Sequence, residues 1–131
     1  MVVILVHWLI TKGREKDFVD WWRQMSVPGG AGLYREILTS LDTEPPDSKF
    51  HTFSVGDPFY STFINVGIWN SLEEFDAEIG KRIPKAEVFE KDGRKKYTIT
   101  LEDFEFKLRE RVVLKVIADR GSQLPDAEMP E

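Results

Sequence analysis

Cysteine is absent from this sequence of 131 residues. Its absence excludes disulfide bonds, thiolate metal sites and cysteine nucleophiles, and it suits a reducing compartment, so we expect a cytoplasmic protein. Histidine is scarce as well, since only His7 and His51 occur. Neither histidine has a carboxylate partner at metal-ligand spacing, so the sequence predicts no metal site.

A surplus of positive charge is also missing. The chain has 18 Lys and Arg residues against 23 Asp and Glu residues, which gives a net charge of −5. Nucleic-acid binding normally requires a basic surface, so we expect no nucleic-acid partner. The one dense basic run, GRKKY at 93–97, is interpreted as a solvated loop.

Long apolar runs do not occur either. The N-terminal stretch MVVILVHWLI is apolar for only ten residues, which is too short to span a bilayer. It also lacks the basic start and the small-residue cleavage site of a secretory leader. We therefore interpret it as the first strand of the fold and expect no membrane partner.

The spacing of apolar residues predicts the element order β-α-β-β-α-β. A single domain is expected over residues 1–118, and an acidic, loosely ordered tail over 119–131. The predicted strands cover 2–10, 33–41, 61–69 and 104–118, and the predicted helices cover 14–25 and a segment that starts near Leu72.

Two segments between these elements have weaker patterns. Residues 42–60 are interpreted as a long connection in which FHTFSV extends a neighbouring strand. Residues 85–96, which follow the helix-breaking Pro84, are interpreted as a second helical piece and a charged loop. Ser71 and Glu74 have the spacing of a capping box, which places the start of the second helix between them.

Helices after the first and third strands predict crossover connections with parallel pairings and right-handed turns. Both helices then lie on one face of a four-stranded sheet. The predicted fold class is α+β, a ferredoxin-like sandwich. Nothing in this chain is expected to cover the other face of the sheet.

Strand 61–69 carries an amide, Asn65, inside an apolar run. The aliphatic residues Ile64, Val66 and Ile68 alternate with a second set and are expected to face the helices. The second set, which then faces the uncovered side, consists of Phe63, Asn65, Gly67 and Trp69. Two sheets packed face to face would bury this set, so we expect a homodimer that encloses a cavity.

Asn65 would then be a polar group on the wall of a pocket, with room left beside it by Gly67. An unsatisfied buried amide costs about 1–3 kcal/mol, so backbone, water or a ligand must bond to it. A purely structural bond to neighbouring backbone is the alternative. Trp69 has a structural alternative as well, as a core residue.

Other polar residues offer further candidates. His7 alternates with Val3, Leu5 and Leu9, and it would be a general base if that set faces the pocket, or else a satisfied core histidine. Two further pairs could bind a ligand or an anion, or could simply face solvent: Tyr34 with Arg35, and Arg109 with Arg111. A stripe on the first helix is expected to be structural; it consists of Phe18, Trp21, Trp22 and Met25.

The element order, the helix FVDWWRQM and the segment NVGIWNSLEEF together resemble the dimeric α+β barrel superfamily, and within it the antibiotic-biosynthesis-monooxygenase-like proteins. The resemblance covers roughly residues 2–118. It implies that Asn65 hydrogen-bonds a phenolic oxygen and that Trp69 packs against the substrate rings. The quinone-forming enzymes of this group also have a tyrosine six residues after the tryptophan. Phe75 stands there in this chain and cannot donate a hydrogen bond.

The resemblance implies a cofactor-independent monooxygenase-like protein that binds a small aromatic or polyketide-like molecule in a cavity between sheet and helices. Expected catalytic residues are Asn65, Trp69 and His7, and expected substrate-binding residues are Phe63, Gly67 and Phe75. No cofactor is expected. Haem degradation is disfavoured because that branch has an asparagine late in the first strand, where Val6 stands. The alternatives are a non-catalytic, small-molecule-binding or stress-related dimer, and an isomerase or decarboxylase acting on a small organic acid.

Overall fold

The computed structural model describes residues 1–25, 27–41, 49–50, 52–80, 85–89, 92, 94–100 and 110–122. Six strands and two helices occur in these residues: β1 Val2–Thr11, α1 Glu15–Gln24, β2 Leu33–Ser40, β3 Tyr60–Trp69, α2 Leu72–Ile79, β4 Lys85–Phe89, β5 Lys95–Thr100 and β6 Glu110–Lys115. The chain is therefore α+β, as predicted.

The main sheet has four strands in the order β2-β3-β1-β6. Every neighbouring pair in it is antiparallel, so the predicted parallel pairings are wrong. Strands β1 and β2 do run in the same direction, but β3 lies between them. A helical connection that skips one strand position in this way places an antiparallel strand between the two parallel ones. This arrangement is compatible with a ferredoxin-like fold.

Residues 85–96 are not helical where the structure describes them. Strands β4 and β5 instead form a separate antiparallel pair. Two features of the sequence indicate this hairpin: KAEVF alternates charged with apolar residues, and Asp92 and Gly93 form one of the strongest turn signals between strands. The many charged residues here hid that alternation.

The remaining boundaries agree with the predictions to within a few residues, with two exceptions. The last strand is confirmed over β6, its predicted part at 104–109 lies outside the described residues, and 116–118 continue as irregular chain. The described part of FHTFSV is also irregular, so the predicted strand extension is wrong there. The tail from residue 123 onward lies outside the described residues.

The two faces of the sheet are the reverse of the prediction. Phe63, Asn65 and Trp69 are buried on the helix side, while the aliphatic residues between them are only half-buried on the other side. Phe63 packs on Phe18 of α1 with ring centroids 4.9 Å apart, and Trp69 packs edge-on against Phe75 of α2 at 5.5 Å. Large aromatic side chains fill the gap between sheet and helices, which shorter aliphatic side chains would leave underpacked.

Helix α1 packs through two residues of its predicted stripe. Phe18 and Trp21 are fully buried and contact Trp8 of β1, with ring centroids 5.2 and 5.6 Å from it. Trp22 and Met25 are half-buried beside this cluster. The structural role predicted for the stripe therefore applies most clearly to Phe18 and Trp21.

The face of the sheet opposite the helices is largely aliphatic. Its apolar residues follow from the strand registers and include Val3, Leu5, Ile37, Ile64, Val66, Ile68, Val112 and Leu114, and the same face also carries the polar residues His7, Arg35, Thr39 and Glu110. Val112 and Leu114 are 52% and 45% exposed. We call this set the open face.

Candidate functional site

A cavity of about 390 Å³ lies between the main sheet and the helices. This volume is in the range of small-molecule sites, which are mostly apolar with a few placed polar groups. All four strands of the sheet and both helices contribute to its wall, which is formed by Val6, Trp8, Trp22, Met25, Glu36, Asn65, Phe75, Asp76, Ile79, Gly80, Glu110 and Arg111.

The Asn65 amide is held by two side chains at this wall. The indole Nε1 of Trp22 donates a hydrogen bond to Asn65 Oδ1 at 2.8 Å, and Asn65 Nδ2 donates to Glu36 Oε2 at 3.2 Å. Because an indole N–H can only donate, it fixes which end of the amide faces Trp22. The amide is therefore satisfied by side chains from α1 and β2, and the bond to neighbouring backbone is not what holds it.

Glu36 is the acidic member of this chain of hydrogen bonds. It lies in β2 opposite Gly67 of β3, and a β-bulge between Leu33 and Arg35 sets that register. Burial raises the pKa of the Glu36 carboxyl above its ordinary value, and the hydrogen bond from Asn65 only partly opposes the rise. No Lys or Arg among the described residues forms an ion pair with it.

The opposite wall carries an ion pair over an aromatic ring. Arg111 of β6 binds Asp76 of α2 through Nη1 and Oδ1, and its guanidinium lies 5.6 Å from the centroid of the Phe75 ring. Both charged groups are partly exposed, so the pair adds little to stability. It ties β6 to α2 at this side of the cavity. Arg109 lies outside the described residues.

Two of the six predicted site residues line this cavity, Asn65 and Phe75. Phe63 lines a broader and more polar groove between α1 and β2, which Glu36 and Arg35 also reach. Trp69 is fully buried behind the cavity, and its Nε1 has no hydrogen-bond partner among the described residues. Tyr34 binds the side chain of Asn70 through its hydroxyl and lies outside the cavity wall.

Gly67 does leave room, but Trp69 occupies it. A Cβ atom built on Gly67 would lie 2.8 Å from Trp69 Nε1 and 3.5 Å from Glu36 Oε2. The missing side chain thus allows the indole of Trp69 to fold back over the strand. Gly67 supports the wall of the cavity from behind.

His7 is separated from this cavity by the sheet. Its Cα partner in β3 is Ile64, on the open face, whereas Asn65 is paired with Val6 on the helix side. The His7 Nε2 atom lies 3.0 Å from the carbonyl oxygen of Val55, which attaches the segment before β3 to that face. His7 therefore cannot act on a molecule bound beside Asn65.

The sequence interpretation missed Glu36 and the polar role of Trp22. Glu36 lies in LYREIL, where a single acid among apolar residues on one side of a strand was the available signal. Trp22 was assigned to the packing stripe of α1, whose spacing gives no information on where the indole N–H points. Only the register of β2 on β3 brings these groups together with Asn65.

Comparison with known proteins does not identify a relative. The chain matches no protein-family model, and no curated protein matches it at a significant level. Within the described part of the chain, no helix is long and apolar enough to cross a membrane. The same residues contain no group of three or more His, Cys, Asp or Glu side chains placed to hold a metal ion.

Proposed function

We propose that the protein binds a small aromatic or polyketide-like molecule in the cavity between sheet and helices, and that it acts on this molecule as a cofactor-independent monooxygenase. The observation that supports binding is the cavity itself, where aromatic side chains lie beside the buried amide of Asn65 and the half-buried carboxyl of Glu36. Trp8, Trp22 and Phe75 supply flat apolar surface for a ring system.

The proposed reaction requires little from the protein. A hydroxyarene that loses its hydroxyl proton can pass electrons to molecular oxygen, which gives a quinone and water. Four electrons reduce one O₂: one oxygen atom enters the ring and the other leaves as water with two hydrogens of the substrate. Positioning, exclusion of water and hydrogen bonds are then the contributions expected of the chain.

A test uses dithranol, a dihydroxyanthrone that O₂ converts to the corresponding anthraquinone. Oxygen uptake and quinone absorbance should rise with protein concentration well above the spontaneous rate. Trp22→Ala, which removes part of the cavity wall, should reduce both signals, whereas Lys16→Ala, an exposed change on the same helix, should not. A rate that does not depend on protein concentration would contradict the oxygenase.

A second candidate is the non-catalytic binding protein with the same cavity. The observation in its favour is Phe75, which lines the wall where the resembling enzymes have a tyrosine and which cannot donate a proton. The two candidates separate in equilibrium dialysis with dithranol under anaerobic conditions. Binding without oxygen uptake in air would support the binding protein and contradict the oxygenase.

The partner proposed for the open face is a second copy of the chain. A contiguous aliphatic surface on a sheet is costly to leave in water, and a two-fold dimer would bury it against itself. Phe50, Phe53 and Phe59 are 75–84% exposed in the segment before β3 and would enlarge the buried area.

Light scattering should give the mass of a dimer at micromolar concentration. Val66→Glu, a charge at the centre of the open face, should give a folded monomer, while Lys16→Glu on the outside of α1 should leave the dimer intact. A monomeric wild-type protein would refute the proposed dimer.

A further inference from the structure

Glu36 is an acid in an aromatic-walled cavity that forms no ion pair with any described residue. Its only hydrogen bond among the described residues comes from Asn65 and goes to Oε2. Charged groups are rarely buried without a partner that compensates for lost hydration. The remaining oxygen, Oε1, is therefore the acceptor that a bound molecule could satisfy.

The orientation of this acceptor is fixed in two steps. Trp22 holds Asn65 Oδ1, and this turns Asn65 Nδ2 towards Glu36. Indole and amide come from α1 and β3, so the carboxyl group is aligned by two elements other than its own strand. A binding site can distinguish ligands by their geometry when neighbouring groups hold its polar side chains in one orientation, as here.

We propose that Glu36 is the polar anchor of the cavity and accepts a hydrogen bond from an uncharged hydroxyl group of a flat aromatic ligand. Asn65 and Trp22 are the positioning residues of this anchor. The assignment rests on the function proposed above, because it takes the cavity to be a binding site for aromatic molecules. It adds the residue that binds the hydroxyl group and the selectivity of the cavity for a phenol or enol over a carboxylate.

Charge at the cavity supports that selectivity. Asp76 also lines its wall, and Arg111 is already paired with Asp76. A ligand carboxylate in the cavity would meet Glu36, and Arg111, the one described cation of the cavity wall, is already paired, while Arg23 and Arg35 line the neighbouring groove instead. A neutral hydroxyl, in contrast, can donate to the Glu36 carboxylate, and hydrogen bonds to a charged acceptor are about twice as strong as neutral ones.

Two probes of the same shape make this testable. The first is 2-naphthol, which keeps its hydroxyl proton at neutral pH, and the second is its methyl ether, which has no proton to donate. The naphthol should prefer ionised Glu36, so its affinity should rise as pH increases through the pKa of that carboxyl. The ether displaces water from the carboxyl and should prefer the protonated form, so its affinity should fall over the same range.

Other ionisable groups near Glu36 could contribute to such a pH profile. They are Asp20 and Arg23 on α1, Asp76 on α2, Glu110 and Arg111 on β6, and Arg35 on the same strand. Glu36→Gln separates their effects from that of Glu36, because it keeps the size of the side chain and removes only its ionisation. Glu73→Gln, the same change at an exposed position of α2, is the matched control.

Equilibrium dialysis of both probes across acidic to neutral pH gives the decisive comparison. Wild type and Glu73→Gln should show opposite slopes for naphthol and ether. In Glu36→Gln both slopes should flatten, and naphthol should bind about five- to tenfold more weakly at neutral pH. Parallel slopes for the two probes in the wild type would overturn the role of Glu36 but would still support the cavity as a binding site for aromatic molecules. This outcome is read from the wild type alone, so it does not depend on whether the variant folds. Failure of both probes to bind would overturn the proposed function, and this inference with it.

Discussion

Replacing Gly67 with alanine tests the arrangement behind the cavity. The new Cβ would lie 2.8 Å from Nε1 and 3.1 Å from Cδ1 of Trp69, and real Cβ atoms do not approach neighbours as closely as the first distance. Trp69 cannot move away easily, because it is fully buried and packs on Phe75. Overpacking of this kind costs about 1–3 kcal/mol. Alanine has less backbone freedom than glycine in the unfolded chain, and this difference stabilises the folded state by about 0.5–1 kcal/mol.

The expected net loss is therefore about 0–2.5 kcal/mol, or a fall in Tm of up to roughly 10 °C for a chain of this size. Thermal unfolding followed by circular dichroism measures it. Gly29→Ala is the control, since its Cβ would meet nothing within 4 Å, and its Tm should stay the same or rise slightly. A Tm of Gly67→Ala equal to or above that of Gly29→Ala would mean that Gly67 does not face Trp69 and that the other side of β3 packs on the helices.

Three further predictions concern neighbouring residues. Asn65→Ala should lower the free energy of unfolding by about 1–3 kcal/mol, because Trp22 and Glu36 both lose their hydrogen-bond partner. A double-mutant cycle with Trp22→Phe should show coupling between the two positions, and additive effects would contradict the hydrogen bond. Glu36→Gln should stabilise the protein at neutral pH. Because the pKa of Glu36 is raised in the folded state, its half-buried carboxylate lowers stability above that pKa, and the gain from the substitution should vanish as pH falls below the ordinary value of 4.5. In urea titrations, a gain that persists at low pH would contradict that sign. Ser71→Ala should lower the free energy of unfolding by about 1 kcal/mol, because Ser71 Oγ accepts a hydrogen bond from the Glu74 N–H at the start of α2. Ser71→Asp should retain most of that stability, and an equal loss of stability in both variants would argue against the cap.

Local patterns in the sequence determined the elements of this fold. Strands β1, β2 and β3 and helices α1 and α2 appear close to where the apolar spacing and the Ser71 cap placed them. These signals are local, because alternation and helical periodicity depend on residues a few positions apart. The hairpin of β4 and β5 was missed where charged residues obscured an alternation that the Asp92–Gly93 turn signal could have supported.

The choice of sheet face required the tertiary structure. Alternation in β3 separates Asn65 from Ile64, but it cannot show which of the two sides the helices cover. That depends on where the crossovers pass and on which side chains fill the gap of the helix layer. Here the aromatic residues fill it, so Asn65 lies in the cavity and His7 on the open face.

The polar centre of the candidate site was determined by long-range pairing. Glu36, Asn65 and Trp22 come from three elements: Glu36 lies 29 positions before Asn65, and Trp22 lies 43 positions before it. The bulge in β2 and the register of β2 on β3 place Glu36 opposite Gly67, within reach of the amide. The sequence identified the amide as the unusual residue in its strand, but its partners were determined only by the packing of the strands and α1. Hydrogen bonds between distant elements depend on strand register and side-chain rotamer, and they leave no periodic pattern in the chain.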